Sequence, residues 1–288
     1  MSLVLTAAQS PDLHAGEEIF SHVKTAETLP EGAWEAYQTL TSRFDKGQGS
    51  YNAWNLMLEL EYGVTDKLSI SGGLQAQSLD TSGLIVDGYI PEEIDRTGFS
   101  GAEIGLKYNF LQPAKAKIGL TYYTGFDFTW VDPHSGQDKY TLSYENQLLL
   151  QKYMMEGQLI WATNLGVETT YADRASIPGL SPDIEWPTDP EVEIELQAGT
   201  ALSYRIAPKL FVNMETLFET EFETEVGQER WSVFVGPSLH YATEKWWATI
   251  GWLPQVGGGG ERYPGQTSGL HLIEKTAHEI RFRAGLNF

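Results

Sequence analysis

Four groups of residues in this chain have types that could do chemistry. Ser238 and His240 stand two apart, so on a strand they share a face, as a nucleophile and its base would. No third, orienting member of a triad is identifiable, and the pair lies on the face opposite Leu239. His278-Glu279 starts like a zinc-protease motif, but Phe282 stands where the second His belongs and the segment alternates as a strand. The run Gly257 to Gly260 lacks a following Lys-Ser or Lys-Thr, which makes it a flexible loop and no phosphate cradle. Asp183, Glu185 and Asp189 could hold calcium weakly, yet without the Gly-centred spacing of a dedicated loop, solvated surface charge is the better reading. No catalytic residue, metal site or cofactor is expected from these groups.

The elements that would have to position them are strands. Nowhere is there an apolar run of the roughly 18 residues that a membrane helix needs. Period-two alternation, by contrast, recurs along the whole chain. It is plainest at the end, where Ile280, Phe282, Ala284, Leu286 and Phe288 fall on one face and Glu279, Arg281, Arg283, Gly285 and Asn287 on the other. Residues 52–64 and the stretch from Leu68 alternate about the turn Thr65-Asp66-Lys67 and form a hairpin. The same design pairs 102–110 with 117–130, 191–204 with 210–222, and 231–241 with 246–253 through links containing Pro or Lys. Residues 140–153 and 157–169 make a fifth pair around Met155-Glu156, with weaker alternation at Asn146 and Lys152.

Adding 34–44 at the front and the closing strand at the back predicts twelve strands, an even number that puts both termini beside the short turns. The other connections include long ones near 78–100, 129–139, 170–190 and 254–277, rich in Gly, Pro, Asp and Ser. Short turns on one side and long loops on the other are the mark of an all-β transmembrane antiparallel barrel in the bacterial outer membrane, its turns periplasmic and its loops extracellular. Outward apolar residues would meet outer-membrane lipid. Tyr62, Tyr108, Phe110, Trp130, Tyr204, Tyr241 and Trp246 lie near strand ends, where an amphipathic ring sits best at a membrane interface.

Composition narrows the partners. With 39 acidic and 19 basic residues, the net charge of -20 argues against nucleic acid and leaves cations as plausible small partners. Cys is absent, which removes disulfides and thiolate metal sites together. Residues 1–9 lack the basic and apolar regions of a secretory signal, while Leu13-His14-Ala15 looks like the tail of a cleavage site, as if a signal had been removed. Residues 1–31 are expected to be either a periplasmic tail or a plug inside the lumen, and residues 32–288 the barrel. The apolar content of Leu84-Ile85-Val86 and Tyr89-Ile90 predicts a loop that folds inward as a constriction or packs over the rim.

Three stretches carry family resemblances. A closing strand ending in Phe288 resembles the signal read by the outer-membrane barrel assembly machinery, which that resemblance implies as a partner. Tyr62-Gly63-Val64-Thr65-Asp66-Lys67-Leu68-Ser69-Ile70 resembles the strand, turn and strand signature of the outer-membrane family named after the MetA pathway of phenol degradation. The stretch from Ala26 to Glu35 looks like that of poorly characterised relatives. The resemblance implies a twelve-stranded channel passing small, often hydrophobic, molecules. Ser238 and His240 resemble in spacing the outer-membrane phospholipase, but that family's pair should meet lipid, whereas here Leu239 does.

If the apolar face meets lipid, the opposite face lines the lumen and is heavily acidic. Glu59, Glu61, Glu103, Glu145, Glu193, Glu195, Glu215, Glu219 and Glu279 fall on it, with Lys107, Lys117, Arg205, Arg281 and Arg283. Such a mixture reads either as a structural network filling a narrow barrel or as a charged pathway that prefers cations or neutral molecules. The function expected is passive uptake of small solutes across the outer membrane. The alternatives are a plugged structural or adhesive barrel and, third, a lipase or protease.

Overall fold

In the computed structural model, residues 18–84, 93–180, 186, 188–223 and 227–288 are described. Twelve strands follow one another: β1 (Trp34–Phe44), β2 (Ser50–Thr65), β3 (Leu68–Ser82), β4 (Ile94–Leu111), β5 (Gly119–Thr129), β6 (Lys139–Met154), β7 (Leu159–Arg174), β8 (Glu191–Ala207), β9 (Leu210–Glu223), β10 (Gly227–Ala242), β11 (Trp246–Gly260) and β12 (His278–Asn287). Each pairs antiparallel with the next, and β1 pairs with β12, so the sheet closes into a barrel. The closing ladder runs from Glu35 opposite Asn287 to Phe44 opposite His278. The backbone of Phe288 continues it: Trp34 N donates to Phe288 O (2.9 Å) and Phe288 N to Trp34 O (3.0 Å).

Alternation decides which way each residue points. Leu58, Leu74, Ile104, Leu165, Leu196, Met214 and Ile250 are all exposed on the outer wall, together with Leu286 on the closing strand. A contiguous apolar belt of this kind is unstable in water and stable in hydrocarbon. Rings stand at its edges: Trp34 packs on Tyr62 (4.5 Å between centroids) and Tyr241 on Trp246 (5.3 Å), all beside the short turns, while Trp130 and Tyr140 lie at the far end. The strands run from 10 to 18 residues, and about 9–11 tilted residues cross a bilayer, so the longer ones project beyond the membrane.

Several boundaries differ from the sequence-based expectation, for physical reasons. Lys117 does not begin a strand; it is an exposed turn residue, because Lys115 N and Ala116 N both donate to Gln112 O and Pro113 packs over Gly119. The four glycines 257–260 are not a loop but the end of β11, paired with β10 from Val233 to Arg230. Their lack of side chains makes room on both faces: a Cβ on Gly259 would come within 2.5 Å of the Trp231 indole nitrogen, and one on Gly258 within 2.4 Å of His271 N. Glycine is thus what lets an indole cover the outer face and a loop backbone cover the inner one. Two connections on the loop side are short, residues 45–49 and 224–226, so the length asymmetry is carried by the other four.

The outer wall yields a direct test of facing. Leu58→Arg should destabilise the lipid-embedded barrel by about 2–4 kcal/mol in denaturant unfolding, the depth-dependent cost of a cation against lipid. Gln75→Arg, on the inner face, should unfold at a denaturant midpoint close to that of the unsubstituted protein. Equal losses from both would contradict the assignment.

Candidate functional site: a charged lumen closed at both ends

Inside the barrel, cross-strand register gathers the carboxylates into rows. Glu59 stands opposite Gly73, which stands opposite Glu103, which stands opposite Asp127. In a second row Glu145 faces Glu168, Glu168 faces Glu195 and Glu195 faces Glu221. Like charges directly across a ladder repel, so these rows need cations. Within the strands, Arg230 supplies one: its Nε and Nη2 each donate to Glu221 at 3.0 Å. On the other wall, β1 and β12 carry Arg43, Arg281 and Arg283, with Arg43 opposite Glu279.

Lys107 on β4 and Lys139 on β6 add others, 3.9 Å from Glu61 and 3.5 Å from Glu193, and further cations come from segments outside the strands. Lys275, in the connection before β12, lies 2.6 Å from Glu219 and 3.6 Å from Glu195. Lys24, ahead of β1, lies 3.1 Å from Glu145. Both belong to segments that fold into the lumen. Residues 18–30 cross its periplasmic half, and several strands give them polar partners. Glu215 accepts from Ser21 N (2.8 Å), Ser21 Oγ (2.7 Å), His22 N (2.9 Å) and Val23 N (3.2 Å). Asn213 donates to Ile19 O (2.7 Å), and Gln151 accepts from Ala26 N (2.8 Å). Asn109 and Thr121 donate to Ala26 O. Space for this segment is cut into the wall at Gly251, where a Cβ would come within 2.2 Å of Ser21 Oγ.

An apolar patch completes the seat. Ile19, Phe20 and Val23 pack against Ile160, Ala162, Ala201 and Phe211 on β7, β8 and β9. Each buried side chain of this size contributes about 1.5–3 kcal/mol relative to exposure. Sequence reasoning missed these inward apolar residues. Their signal was available: 159–162 and 210–212 are runs in which alternation lapses because both faces are apolar.

At the loop end, Tyr51, Leu79, Leu84, Tyr263, Leu272, Ile273 and Ala277 form a second apolar cluster. Leu84 therefore packs inward against the loop before β12; Ile85, Val86, Tyr89 and Ile90 lie outside the described residues, as do Asp183 and Glu185. Residues 132–134 also turn inward, where Arg43 donates to Pro133 O (3.1 Å) and lies 3.2 Å from His134 Nδ1.

Between these closures lie three adjoining cavities. One of about 400 Å³ is lined by Glu59, Glu61, Glu103, Lys107, Arg281 and Arg283 among others. Another, of about 360 Å³, is lined by Glu193 and Glu195 and shares Glu103, Tyr123 and Glu145 with the first. The third, about 190 Å³, takes in Glu219 and shares His22, Glu279 and Arg281 with the first. Two of the sequence-predicted lining residues sit elsewhere. Glu215 lies beneath residues 21–23, shielded by them, and Arg205 stands half-exposed at the periplasmic rim, where β8 bulges before its turn.

Ser238 and His240 do face inward, as Leu239 faces out, but they engage different groups. Ser238 Oγ donates to Glu215 Oε1 (2.6 Å), and His240 Nδ1 lies 2.7 Å from Thr249 Oγ1. A nucleophile held by a carboxylate and a histidine turned to another strand do not make a charge-transfer pair.

Two acids anchor the closures. Burial pushes the Glu18 carboxyl up, but Lys107 at 2.8 Å and Arg283 at 3.5 Å outweigh it and hold the group below the ordinary carboxylate range. For Glu274 burial is likewise outweighed, by Arg230, Lys139, His271 and Lys275, and its pKa falls to about 2. A folded-state pKa depressed in this way contributes stability that is complete above the unfolded value and is lost as pH falls through the folded one. Both closures should therefore hold from neutral pH down to about 4.5 and loosen only below it, the Glu274 contacts being released near pH 2. Limited proteolysis of the folded barrel between residues 18 and 31 against pH measures this at the periplasmic end. Glu215→Ala should expose the same segment to protease at neutral pH while the barrel stays folded, because three backbone N–H groups lose their acceptor.

A search of curated proteins finds no match to the sequence. Among solved structures, the chain is similar to an outer membrane channel from Pseudomonas putida F1, with a TM-score of 0.62 and 12% identity over 91% of this chain and 98% of that one. It is also similar to the beta domain of the Bordetella autotransporter Brka, with a TM-score of 0.52 and 12% identity over 90% and 100% of the two chains. At such identity the likeness shows the fold, an outer-membrane β-barrel. Sequence assigns the relationship more closely: the model of a family of unknown function, DUF6662, matches residues 12–288, and the chain belongs to that family.

Proposed function

We propose that this protein is an outer-membrane channel for passive uptake of small solutes, and that its lumen favours cations. The observation that carries the reading is the set of adjoining cavities, with carboxylate rows on β2 to β9 facing Arg43, Arg281 and Arg283 on β1 and β12. Charges buried only to support a wall would be paired strand to strand. Here Glu145 and Glu219 take their cations from segments that are not part of the wall. A charged, water-sized interior with removable partners suits selective passage. The resemblance to the MetA-pathway family points the same way in architecture, and its hydrophobic solutes fit this lumen less well than polar ones. Assembly through the terminal Phe288 and contact with outer-membrane lipid belong to the same proposal.

A second reading is favoured by one specific observation: residues 18–30 and the loop before β12 fill the two ends. On that reading the barrel is a plugged structural or adhesive element.

Single-channel recording in planar bilayers across a salt gradient separates the two. Discrete steps with a reversal potential on the cation side are expected, and Glu103→Gln combined with Glu168→Gln should shift that potential toward zero. A folded barrel that stays silent, including near pH 2 where the Glu274 contacts are released, would support the plugged reading and reject the channel.

A further inference from the structure

Lys24 does more than balance charge. Its backbone is pinned by Asn164, which accepts from Lys24 N at 2.7 Å and donates to Lys24 O at 2.9 Å. From that fixed point the side chain reaches into the main cavity. Its ammonium sits 3.7 Å from the centroid of the Tyr123 ring and 3.1 Å from Glu145 Oε2. Glu59 and Glu103 line the same cavity beside it. A ring face beneath, one carboxylate in contact and further carboxylates around are the groups that recognise an organic ammonium.

The occupant is weakly held. Lys24 keeps 28% of its side-chain surface exposed to the cavity, and an ion pair with that much solvent contributes little. Lys275 repeats the arrangement from the opposite end, reaching Glu219 and Glu195 from a loop. Each closure thus inserts one tethered ammonium into the acidic wall.

We propose that the space between Tyr123, Glu145 and Glu103 is an ammonium-binding site that Lys24 fills in cis, and that the solute is a small organic molecule bearing a primary ammonium group, which displaces Lys24 as it binds. This rests on the reading of the lumen as a solute pathway and names the solute class. Displacement couples binding to opening, since a solute in the seat removes one of the contacts that hold residues 18–30.

The test is calorimetric titration of the full chain in detergent micelles with n-butylammonium chloride, with n-butanol and sodium butyrate as comparison probes. Lys24→Met should tighten butylammonium binding about tenfold, because the competing ammonium is gone. Adding Glu145→Gln to that variant should abolish the gain, and Lys115→Met, on an exposed turn, should bind as the unsubstituted protein does. Should Lys24→Met fail to show the heat-dependent gel shift of a folded barrel, Lys24→Gln, which removes the charge and keeps a polar end, replaces it. Unchanged or weaker butylammonium binding in the folded Lys24 variant overturns the proposal, and so does an equal gain for butanol or butyrate, which would mean only that space was opened. The measurement needs no conduction: a silent barrel that binds butylammonium as described rejects the channel alone, and a conducting barrel without the tenfold gain rejects this site alone.

Discussion

An open sheet edge in hydrocarbon leaves backbone N–H and C=O groups unpaired, at several kcal/mol each, and the β1–β12 ladder is what removes that edge. Everything else in the molecule follows from the closure. Once the sheet closes, alternate side chains point into an enclosed space that lipid cannot reach and water reaches only through the ends. The outer residues then solve one problem, matching lipid, and the inner ones another, satisfying one another. The backbone of Phe288 and Trp34 extends the same ladder to the very end of the chain.

The enclosed space has a composition that its own walls do not balance. Glu145, Glu168, Glu195 and Glu221 come opposite one another in successive ladders, and among the described residues only Glu221 of these has a strand-borne cation in direct contact, Arg230. Lys24 and Lys275 bring the missing positive charge in from the two ends. The electrostatics of the wall and the closure of its ends are therefore one arrangement, and a charge that is supplied by a segment can also be withdrawn with it.

Residues 18–30 show how a segment without regular secondary structure is held. Its backbone groups cannot be left dry and unpaired, and Asn213, Glu215, Asn164, Gln151, Asn109 and Ser69 meet them from five different strands. The apolar contact of Phe20 and Val23 with Ile160 and Phe211 adds burial where the polar ladder ends. Side-chain bonds of this kind are individually modest, so the segment is fastened by their number and is separable from the strand-to-strand ladder.

The architecture was determined by the sequence alone, because period two is a property of each strand by itself: Leu58 against Glu59, or Phe282 against Arg283, reads out as lipid against lumen with no knowledge of neighbours. The inward placement of Glu59, Glu103, Glu193, Glu195, Arg281 and Arg283 followed from the same period. What alternation does not contain is register and depth. That Glu145 faces Glu168, that Glu215 is covered by Ser21 while Arg205 sits at the rim, and that four glycines extend β11 under Trp231 are facts of cross-strand pairing. The place of Lys24 was likewise decided only by tertiary structure, since its ammonium is seated by Tyr123 and Glu145, about a hundred residues away in a chain whose contacts are made by closure and not by sequence proximity.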